Sequence, residues 1–190
     1  MNAPSPSHYF VVDLEATCDE DRRIPPHEME TIEFGAVLVD ASTLEVVEEF
    51  QTFIKPVRHP TLTPFCTRLT TITQGEVEGA PTFPSAIASV RRFLGERDAL
   101  FCSWGDYDRK QLERDAARHG ALLPFRGRHW NLKKSFSERL GTAKRYGMAE
   151  ALKLVGLELV GTHHRGIDDA RNIARLLPWI TGRRPFPRGE

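Results

Sequence analysis

The chain has 190 residues, of which 40% are hydrophobic and 27% charged, and its 26 basic side chains balance its 26 acidic ones. This length fits one domain with a single core, since single cores commonly run to about 100–200 residues. No apolar run approaches the roughly 20 residues that span a bilayer, and the zero net charge argues against binding nucleic acid through overall positive charge.

The N-terminus and the cysteines indicate the compartment. The segment MNAPSPSHYF has neither a basic flank nor an apolar stretch before a cleavage site, so we expect no signal peptide and a cytoplasmic protein. Cys18, Cys66 and Cys102 are widely spaced and odd in number. We expect reduced, buried thiols rather than a disulfide framework or a zinc site.

Three strands are predicted first along the chain. Residues 9–14 (YFVVDL) form a compact apolar run rich in β-branched and aromatic side chains, which indicates a buried strand. Residues 32–39 and 46–54 alternate well enough to be strands, and the short connection 40–45 predicts an antiparallel hairpin. The polar insert 17–31 separates the first two strands and is expected to lie near the site.

Helices alternate with short strands in the rest of the chain. Residues 99–104 and 129–131 are the predicted strands, and Gly156 is predicted to stop the helix before it. One long final helix is expected from about residue 167 to residue 180. The apolar positions that define the helices are Phe83, Ile87, Val90, Phe93 and Leu94, then Leu112 and Ala116, Leu132, Phe136 and Leu140, Met148, Leu152 and Val155, and finally Ile173, Leu176, Leu177 and Ile180.

This order of elements predicts an α/β fold. Antiparallel strands followed by alternating strands and helices indicate a mixed central β-sheet flanked by helices on both sides. We expect a disordered N-terminal tail over residues 1–8, one domain over residues 9–181, and a flexible tail rich in Pro and Arg over residues 182–190.

Acidic and basic side chains are unevenly distributed. From Asp13 to Glu49 there are twelve acidic residues against two arginines, whereas residues 109–145 hold eleven Lys and Arg against three acids. This asymmetry is typical of a protein that gathers cations in one place and phosphates in another, although the solvated faces of unrelated helices would also produce it.

Four acids are candidate metal ligands. Asp13 and Glu15 end the first strand, and residues two apart in a strand point to the same side. Asp108 opens a helix in phase with the inward Leu112, and Asp169 shares a helical face with Ile173. Taken singly, each has an alternative role in a helix cap or an ion pair.

Two neighbouring acids and two histidines leave choices open. Asp106 is the rival of Asp108, and Asp168, turned by roughly 100° from Asp169, is the better helix cap. His164 precedes Asp169 by five residues, on a loop that Gly166 makes flexible, so its ring can return over that acid as a general base. His163 is the alternative base, and a surface histidine pair is the other interpretation.

Carboxylates without cysteine or histidine partners favour Mg²⁺ or Mn²⁺ over Zn²⁺. Two such ions about 3.5–4 Å apart can bind one phosphodiester, with one ion activating water and the other neutralising the leaving oxyanion. The four acids therefore predict two Mg²⁺ or Mn²⁺ ions and hydrolysis of a phosphodiester.

Six segments follow one another along the chain: VVDLEATC, IEFGAVLVD, LTTITQ, SWGDYDRKQL, NLKKSF and HHRGIDDARNIARL. In this order they resemble the DEDDh 3′–5′ exonucleases and, within them, the Eri-1-like or three-prime histone exonuclease branch. The resemblance covers roughly residues 9–178 and implies a ribonuclease-H-like three-layer fold that releases 5′-mononucleotides from a 3′ end. It places the metal ligands on Asp13, Glu15, Asp108 and Asp169 and the histidine on His164.

The same resemblance implies substrate contacts. The backbone around Ala16 and Thr17 is expected to receive the terminal 3′-OH, and Leu69, Thr70 and Ile72 to support the last base, with core packing as the alternative for the latter three. Tyr107 and Trp104 can stack on bases, although a strand-end aromatic such as Trp104 is also typical of a core.

The sequence thus predicts a two-metal 3′–5′ exonuclease acting on single-stranded RNA or DNA ends, without a membrane and with protein partners unspecified. A catalytically silent nucleic-acid-binding module and an oligonucleotide-specific phosphodiesterase are the alternatives. Four basic residues are expected to guide the nucleic-acid backbone. They are Arg109, Lys110, Lys133 and Lys134.

Overall fold

The computed structural model describes residues 6–21, 23–125 and 127–187. Within the two predicted tails, residues 1–5 and 188–190 lie outside the described residues. The described end of the C-terminal segment contacts the domain, because the ring of Phe186 lies 5.1 Å from that of Phe136 in a T-shaped arrangement. No helix in the described ranges is both long enough and apolar enough to cross a bilayer.

A five-stranded mixed sheet forms the centre of the molecule, in the order β3-β2-β1-β4-β5. β1 pairs antiparallel with β2, and β2 pairs antiparallel with β3 in the predicted hairpin. β4 pairs parallel with β1, and β5 pairs parallel with β4. The strands are β1 (His8–Ala16), β2 (Thr31–Asp40), β3 (Val46–Phe53), β4 (Ala99–Ser103) and β5 (His129–Asn131).

Helices cover both faces of this sheet. They are α1 (Pro64–Thr70), α2 (Gln74–Glu78), α3 (Phe83–Leu94), α4 (Tyr107–His119), α5 (Leu132–Leu140), α6 (Met148–Leu154), α7 (Gly166–Ala174) and α8 (Leu177–Ile180). Helices α3 and α4 bury their apolar side chains with one face of the sheet, and α5 to α8 with the other. The predicted α/β architecture with a mixed central sheet is confirmed.

Alternation along β1 decides which face carries the acids. Phe10, Val12 and Leu14 pack in the core beneath α3 and α4, whereas Val11 packs in the core beneath α5 to α8. Since side chains two residues apart share a face, Asp13 and Glu15 project from the same face as Val11. That face is the one across which α7 lies.

Two glycines allow α7 to approach the sheet. A Cβ atom at Gly35 in β2 would lie 2.1 Å from the backbone carbonyl carbon of Gly166 and from the nitrogen of Ile167. A side chain at either glycine is therefore incompatible with the observed spacing. The close approach brings the first turn of α7, which carries Asp169, over β1.

The stretch 60–82, to which the sequence pattern assigned no element, contains the short helices α1 and α2. Two local predictions were wrong. The long final helix is divided, because α7 ends at Ala174 and α8 begins at Leu177, one residue before Pro178. Asp168 does not cap α7. Its carboxylate instead accepts a hydrogen bond from the Thr162 amide at 2.9 Å and pairs with Arg171 at 2.8 Å.

Candidate active site

Three of the predicted ligands meet at one point. Asp13, Glu15 and Asp169 each offer a carboxylate oxygen, and these oxygens lie within 4.8 Å of one another. Two come from the end of β1 and the third from the first turn of α7. Oxygen atoms at this separation can share one divalent cation, since the ligands of Mg²⁺ stand about 2 Å from the ion.

Asp108 joins this group from the first turn of α4. It is 4% exposed, and its Oδ1 accepts a hydrogen bond from the backbone amide of Leu14 at 3.1 Å, which fixes the carboxylate beside the end of β1. Asp106, the rival of Asp108, precedes the helix with an exposed side chain and lies 3.9 Å from Arg109. The structure therefore places Asp108, and not Asp106, among the other acids.

The four carboxylates repel one another in a site with little water. Burial, followed by the charges of Asp108 and Glu15, holds the pKa of Asp13 well above its usual value. Burial and the charge of Asp169 raise the pKa of Glu15 to about 9, and burial raises the pKa of Asp108 to about 6. Such groups need a cation or a proton at neutral pH, because an uncompensated buried charge loses its hydration.

Both histidines lie beside Asp169. The Nδ1 atom of His163 is 3.0 and 3.1 Å from the two carboxylate oxygens of Asp169, and the backbone amide of His164 donates to the same carboxylate at 3.0 Å. The two imidazoles stack with centroids 4.0 Å apart. The imidazole of His163, the alternative base, therefore contacts Asp169 directly. His163 is exposed, whereas His164 is half-buried.

The environment of His164 favours its neutral form. Burial and then the proximity of His163 lower its pKa, and the charge of Asp169 opposes that shift. A neutral imidazole can accept a proton from water near pH 7. His163, His164 and Asp169 also offer ligand atoms within 4.8 Å of one another, which is a second, nitrogen-rich grouping that shares Asp169.

These groups open into one cavity of about 390 Å³. One wall is acidic and the other is apolar and aromatic, which suits a ligand with a phosphate at one end and a flat ring at the other. The cavity is lined by Asp13, Leu14, Glu15, Ala16, Cys18, Met29, Leu69, Trp104, Tyr107, Asp108, Gly147, Met148, His163, His164 and Asp169.

The predicted substrate contacts fall into two groups. Ala16, Leu69 and Tyr107 line the cavity, and the side chains of Leu69 and Tyr107 are 36% and 44% exposed. Thr70 and Ile72 are fully buried, so their side chains cannot contact a base directly, and the expectation that they support the last base is corrected. The Thr70 hydroxyl donates to the Cys66 carbonyl within α1, and Ile72 packs in the small core beneath α1 and α2.

Thr17 is buried and does not line the cavity. Its side chain is 1% exposed and its hydroxyl accepts a hydrogen bond from the Glu30 amide at 3.0 Å, while its own amide donates to the Glu30 carbonyl at 2.8 Å. The two ends of the insert 17–31 are thus tied together. Residues 18 and 29 of the insert reach the cavity, as expected of an insert near the site.

The predicted basic guides lie on α4 and α5. Arg109 pairs with Glu113 at 2.8 Å, and Lys134 lies 3.7 Å from Glu138. Both pairs join neighbouring turns of one helix on exposed surface, where ion pairs are weak. None of these four basic side chains lines the cavity that holds the acids.

Sequence reasoning missed Glu33 and the apolar wall. Glu33 is fully buried in β2, directly opposite Glu15 in the pairing of β1 with β2. The available signal was a lone acid inside the apolar run TIEFGAVLVD. Met29, Gly147 and Met148 line the cavity from a loop and a helix start, where no periodicity points to a site.

Carboxylates and histidines thus meet at the end of β1, the central strand of the sheet, in an arrangement that can hold divalent cations. The family model described as Exonuclease (RNase_T) matches residues 10–177, and the chain belongs to this family. The predicted ribonuclease-H-like fold and the resemblance to the Eri-1-like branch are confirmed by the relatives described next.

Human ERI1 exoribonuclease 3 is 34% identical to this chain over 95% of the chain and 56% of the relative. The 3'-5' exonuclease Snipper of Drosophila melanogaster is 31% identical over 90% of the chain and 68% of its own length. The crystal structure of the nuclease domain of 3'hExo, a DEDDh family member bound to rAMP, superposes with a TM-score of 0.86 at 30% identity over 95% of both chains. The chain spans about half the length of ERI1 exoribonuclease 3.

Proposed function

We propose that this chain is a metal-dependent 3′–5′ exonuclease that hydrolyses the terminal phosphodiester of single-stranded RNA or DNA and releases 5′-mononucleotides. The observation that carries the proposal is the convergence of Asp13, Glu15 and Asp169 within 4.8 Å, with Asp108 and the two histidines in the same cavity. A protein that only bound nucleic acid would bury four acids here without any gain in affinity for phosphates.

Two divalent cations fit this set of donors. Asp13, Glu15, Asp108 and Asp169 would hold them, since hard carboxylate oxygens favour Mg²⁺ or Mn²⁺ and the raised pKa values of these acids reflect negative charge that lacks compensation. When bound, such ions supply electrostatic stabilisation of the charge that develops on the reacting phosphate and its leaving oxygen.

The side chains of the chain have separate tasks. His164, half-buried and with a lowered pKa, accepts the proton of the attacking water, and Asp169 orients the loop that carries it through the His164 amide. The backbone at Ala16, which lines the cavity, receives the 3′-terminal hydroxyl. Leu69 and Tyr107 present exposed apolar surface on which the terminal base can rest.

RNA 3′ ends are the proposed substrate class. Support comes from relatives that are called exoribonucleases and from a related 3′-exonuclease whose structure shows 3'-end specific recognition of a histone mRNA stem-loop. Single-stranded DNA is the second substrate to be tested, since stacking on Leu69 and Tyr107 does not distinguish the sugars. We also infer a cytoplasmic location from the sequence.

A product ladder on matched RNA and DNA strands, labelled in turn at each end, tests the proposal. With Mn²⁺ or Mg²⁺ we expect stepwise shortening from the 3′ end and 5′-mononucleotide products, and no shortening with a chelator or with the Asp13→Asn variant. Binding without shortening would favour a silent binding module. Activity confined to strands of a few nucleotides would favour an oligonucleotide-specific phosphodiesterase.

A further inference from the structure

Glu33 is a buried acid that the proposed chemistry leaves without a task. Its side chain is 0% exposed, and both of its carboxylate oxygens accept hydrogen bonds. Oε1 accepts from Gln51 Nε2 at 2.7 Å, and Oε2 accepts from the Gly166 amide at 3.0 Å and from Arg165 Nε at 3.3 Å. Glu33 is therefore compensated by donors, unlike Asp13 and Glu15, whose charges await a cation.

Two of the three donors belong to the loop that carries the histidines. Gly166 is the first residue of α7 and Arg165 is its N-cap residue, and the Arg165 side chain itself makes no capping hydrogen bond. The first amides of a helix lack partners within the helix, and a negative charge at that end interacts favourably with the helix dipole. Glu33 therefore caps α7 from the neighbouring strand.

The backbone next to this cap is strained. His164 has a φ of +64°, a left-handed conformation that few residues other than glycine adopt. Such a conformation is unfavourable and persists only where the surroundings enforce it. On one side of His164 the Asp169 carboxylate accepts from its amide, and on the other side Glu33 binds the next two residues.

We propose that Glu33 is a positioning residue that fixes the backbone of residues 164–166 and thereby directs the His164 imidazole into the cavity. The inference rests on the proposed function, because it assigns Glu33 an effect on catalysis through His164. Asp169 is itself a proposed metal ligand, so its oxygens have a second use. Both carboxylate oxygens of Glu33, by contrast, are engaged by the donors of Gln51, Arg165 and Gly166.

The test is a double-mutant cycle between Glu33→Gln and His164→Asn. Glutamine keeps the volume but replaces the carboxylate with a neutral amide, so the negative charge that interacts with the Arg165 guanidinium and with the first turn of α7 is lost even where the amide oxygen still accepts from Gly166 and Arg165. We expect kcat to fall by about tenfold or more with KM unchanged, since small displacements of a catalytic group cost that much. In the His164→Asn background the same substitution should change kcat by less than about twofold.

Glu30→Gln is the matched control. Glu30 is also a buried glutamate, 3% exposed, and its carboxylate accepts from the amides of residues 57–59 at 2.8–2.9 Å, on a segment separate from the histidine loop. Whatever factor Glu30→Gln imposes on kcat should persist in full in the His164→Asn background. A merely structural role of Glu33 would give this same multiplicative pattern and would overturn the inference.

Two further measurements keep the outcomes separate. If Glu33→Gln does not fold, Gln51→Leu removes the 2.7 Å donor from an exposed position on β3 and should give a smaller fall in kcat that also vanishes without His164. A wild-type protein that releases no nucleotide would contradict the proposed function. An active wild type with a slow His164→Asn variant and a fully active Glu33→Gln variant would contradict only the role of Glu33.

Discussion

At the scale of single residues, the site depends on charges that the fold does not neutralise. Burial contributes first to the raised pKa of Asp13 and of Glu15, and neighbouring acids contribute next. Stability alone would select apolar side chains at these positions, since replacing buried charges with apolar groups is often neutral or stabilising. The buried acids therefore lower the stability of the protein without its ligand, as is typical of a functional site.

Replacing Asp13 or Asp169 with asparagine tests this assignment. Asparagine keeps the shape but removes the charge, so we expect nucleotide release to fall by at least about a hundredfold, the usual effect of losing one electrostatic stabiliser. The folded state should be retained, because the substitution also removes repulsion. Initial rates with Mn²⁺ and melting curves in chelator measure the two effects, and full activity of either variant would exclude that residue from the metal site.

The two histidines call for a paired substitution. The His163 ring contacts Asp169 directly. The His164 ring is half-buried and stacks on the His163 ring. If His164 is the base, His164→Asn should lower kcat by about 10²-fold to 10⁴-fold, and His163→Asn by less than about tenfold. Single-turnover rates compare the variants on one substrate. The reverse order of effects would make His163 the base.

The periodicity of the sequence was sufficient to find the candidate metal ligands, but it was not sufficient to find Glu33, which binds the loop beside them. Asp13, Glu15 and Asp169 were found because the periods of a strand and a helix fix which side chains share a face. Glu33 was missed because its role depends on where the start of α7 lies relative to β2, a distance of 133 positions along the chain from Glu33 to Gly166. No local pattern records such a contact.

At the scale of elements, short helices and helix ends were the least predictable. Helix α2 carries a capping box, in which Thr73 Oγ1 accepts from the Glu76 amide and the Glu76 carboxylate accepts from the Thr73 amide. That signal stands in the sequence as T-x-x-E, yet five residues are too few to show a helical period. The longer elements α3 and α4, with two or more turns of apolar spacing, were predictable.

The close packing of α7 on β2 gives a prediction about one glycine. Gly35→Ala would place a Cβ 2.1 Å from backbone atoms of α7, and backbone cannot move aside as a flexible side chain can. We expect a loss of about 3 kcal/mol or more in the free energy of unfolding, at the upper end of the cost of overpacking, together with lower activity because Asp169 and His164 move with α7.

Gly75→Ala is the matched control for that substitution. Gly75 lies in α2, where an added Cβ meets nothing within 4 Å. Alanine should stabilise the protein there by up to about 1 kcal/mol through its higher helix propensity. Urea unfolding of both variants measures the difference. A Gly35→Ala protein as stable as the wild type would show that α7 does not require this approach to the sheet.

At the scale of the whole molecule, the net charge is zero but the charged side chains are unevenly distributed. The 26 acidic and 26 basic residues cancel overall, but the titratable side chains that line the cavity include four acids, Asp13, Glu15, Asp108 and Asp169, and no lysine or arginine among the described residues. An exonuclease that binds only the last nucleotides of a strand needs few phosphate contacts. Affinity for nucleic acid should therefore depend weakly on salt compared with proteins that bind many phosphates.

The same distribution of charge links metal binding to folding. In the metal-free protein the pKa of Glu15 is raised from 4.5 to about 9, so the folded state binds more protons than the unfolded state between these values. Stability without metal should accordingly fall as the pH rises from 4.5 toward 9. A divalent cation supplies the missing compensation, and at about 100 times its Kd it should add about 2.7 kcal/mol.

Glu15→Gln separates this linkage from general stability. A neutral amide removes the cost of protonating or burying the Glu15 carboxylate on folding, so the melting temperature in chelator should rise at pH 8, while the increase on adding Mn²⁺ should shrink. Glu30→Gln should instead lower the melting temperature in chelator, because the Glu30 carboxylate is already compensated by three amides. It should leave the Mn²⁺ response intact.

Thermal melts of the three proteins at pH 5 and pH 8, with and without Mn²⁺, measure these differences. Equal Mn²⁺ responses in wild type and Glu15→Gln would place the cation away from Glu15, because a lost ligand in a cage of four cannot leave the affinity unchanged.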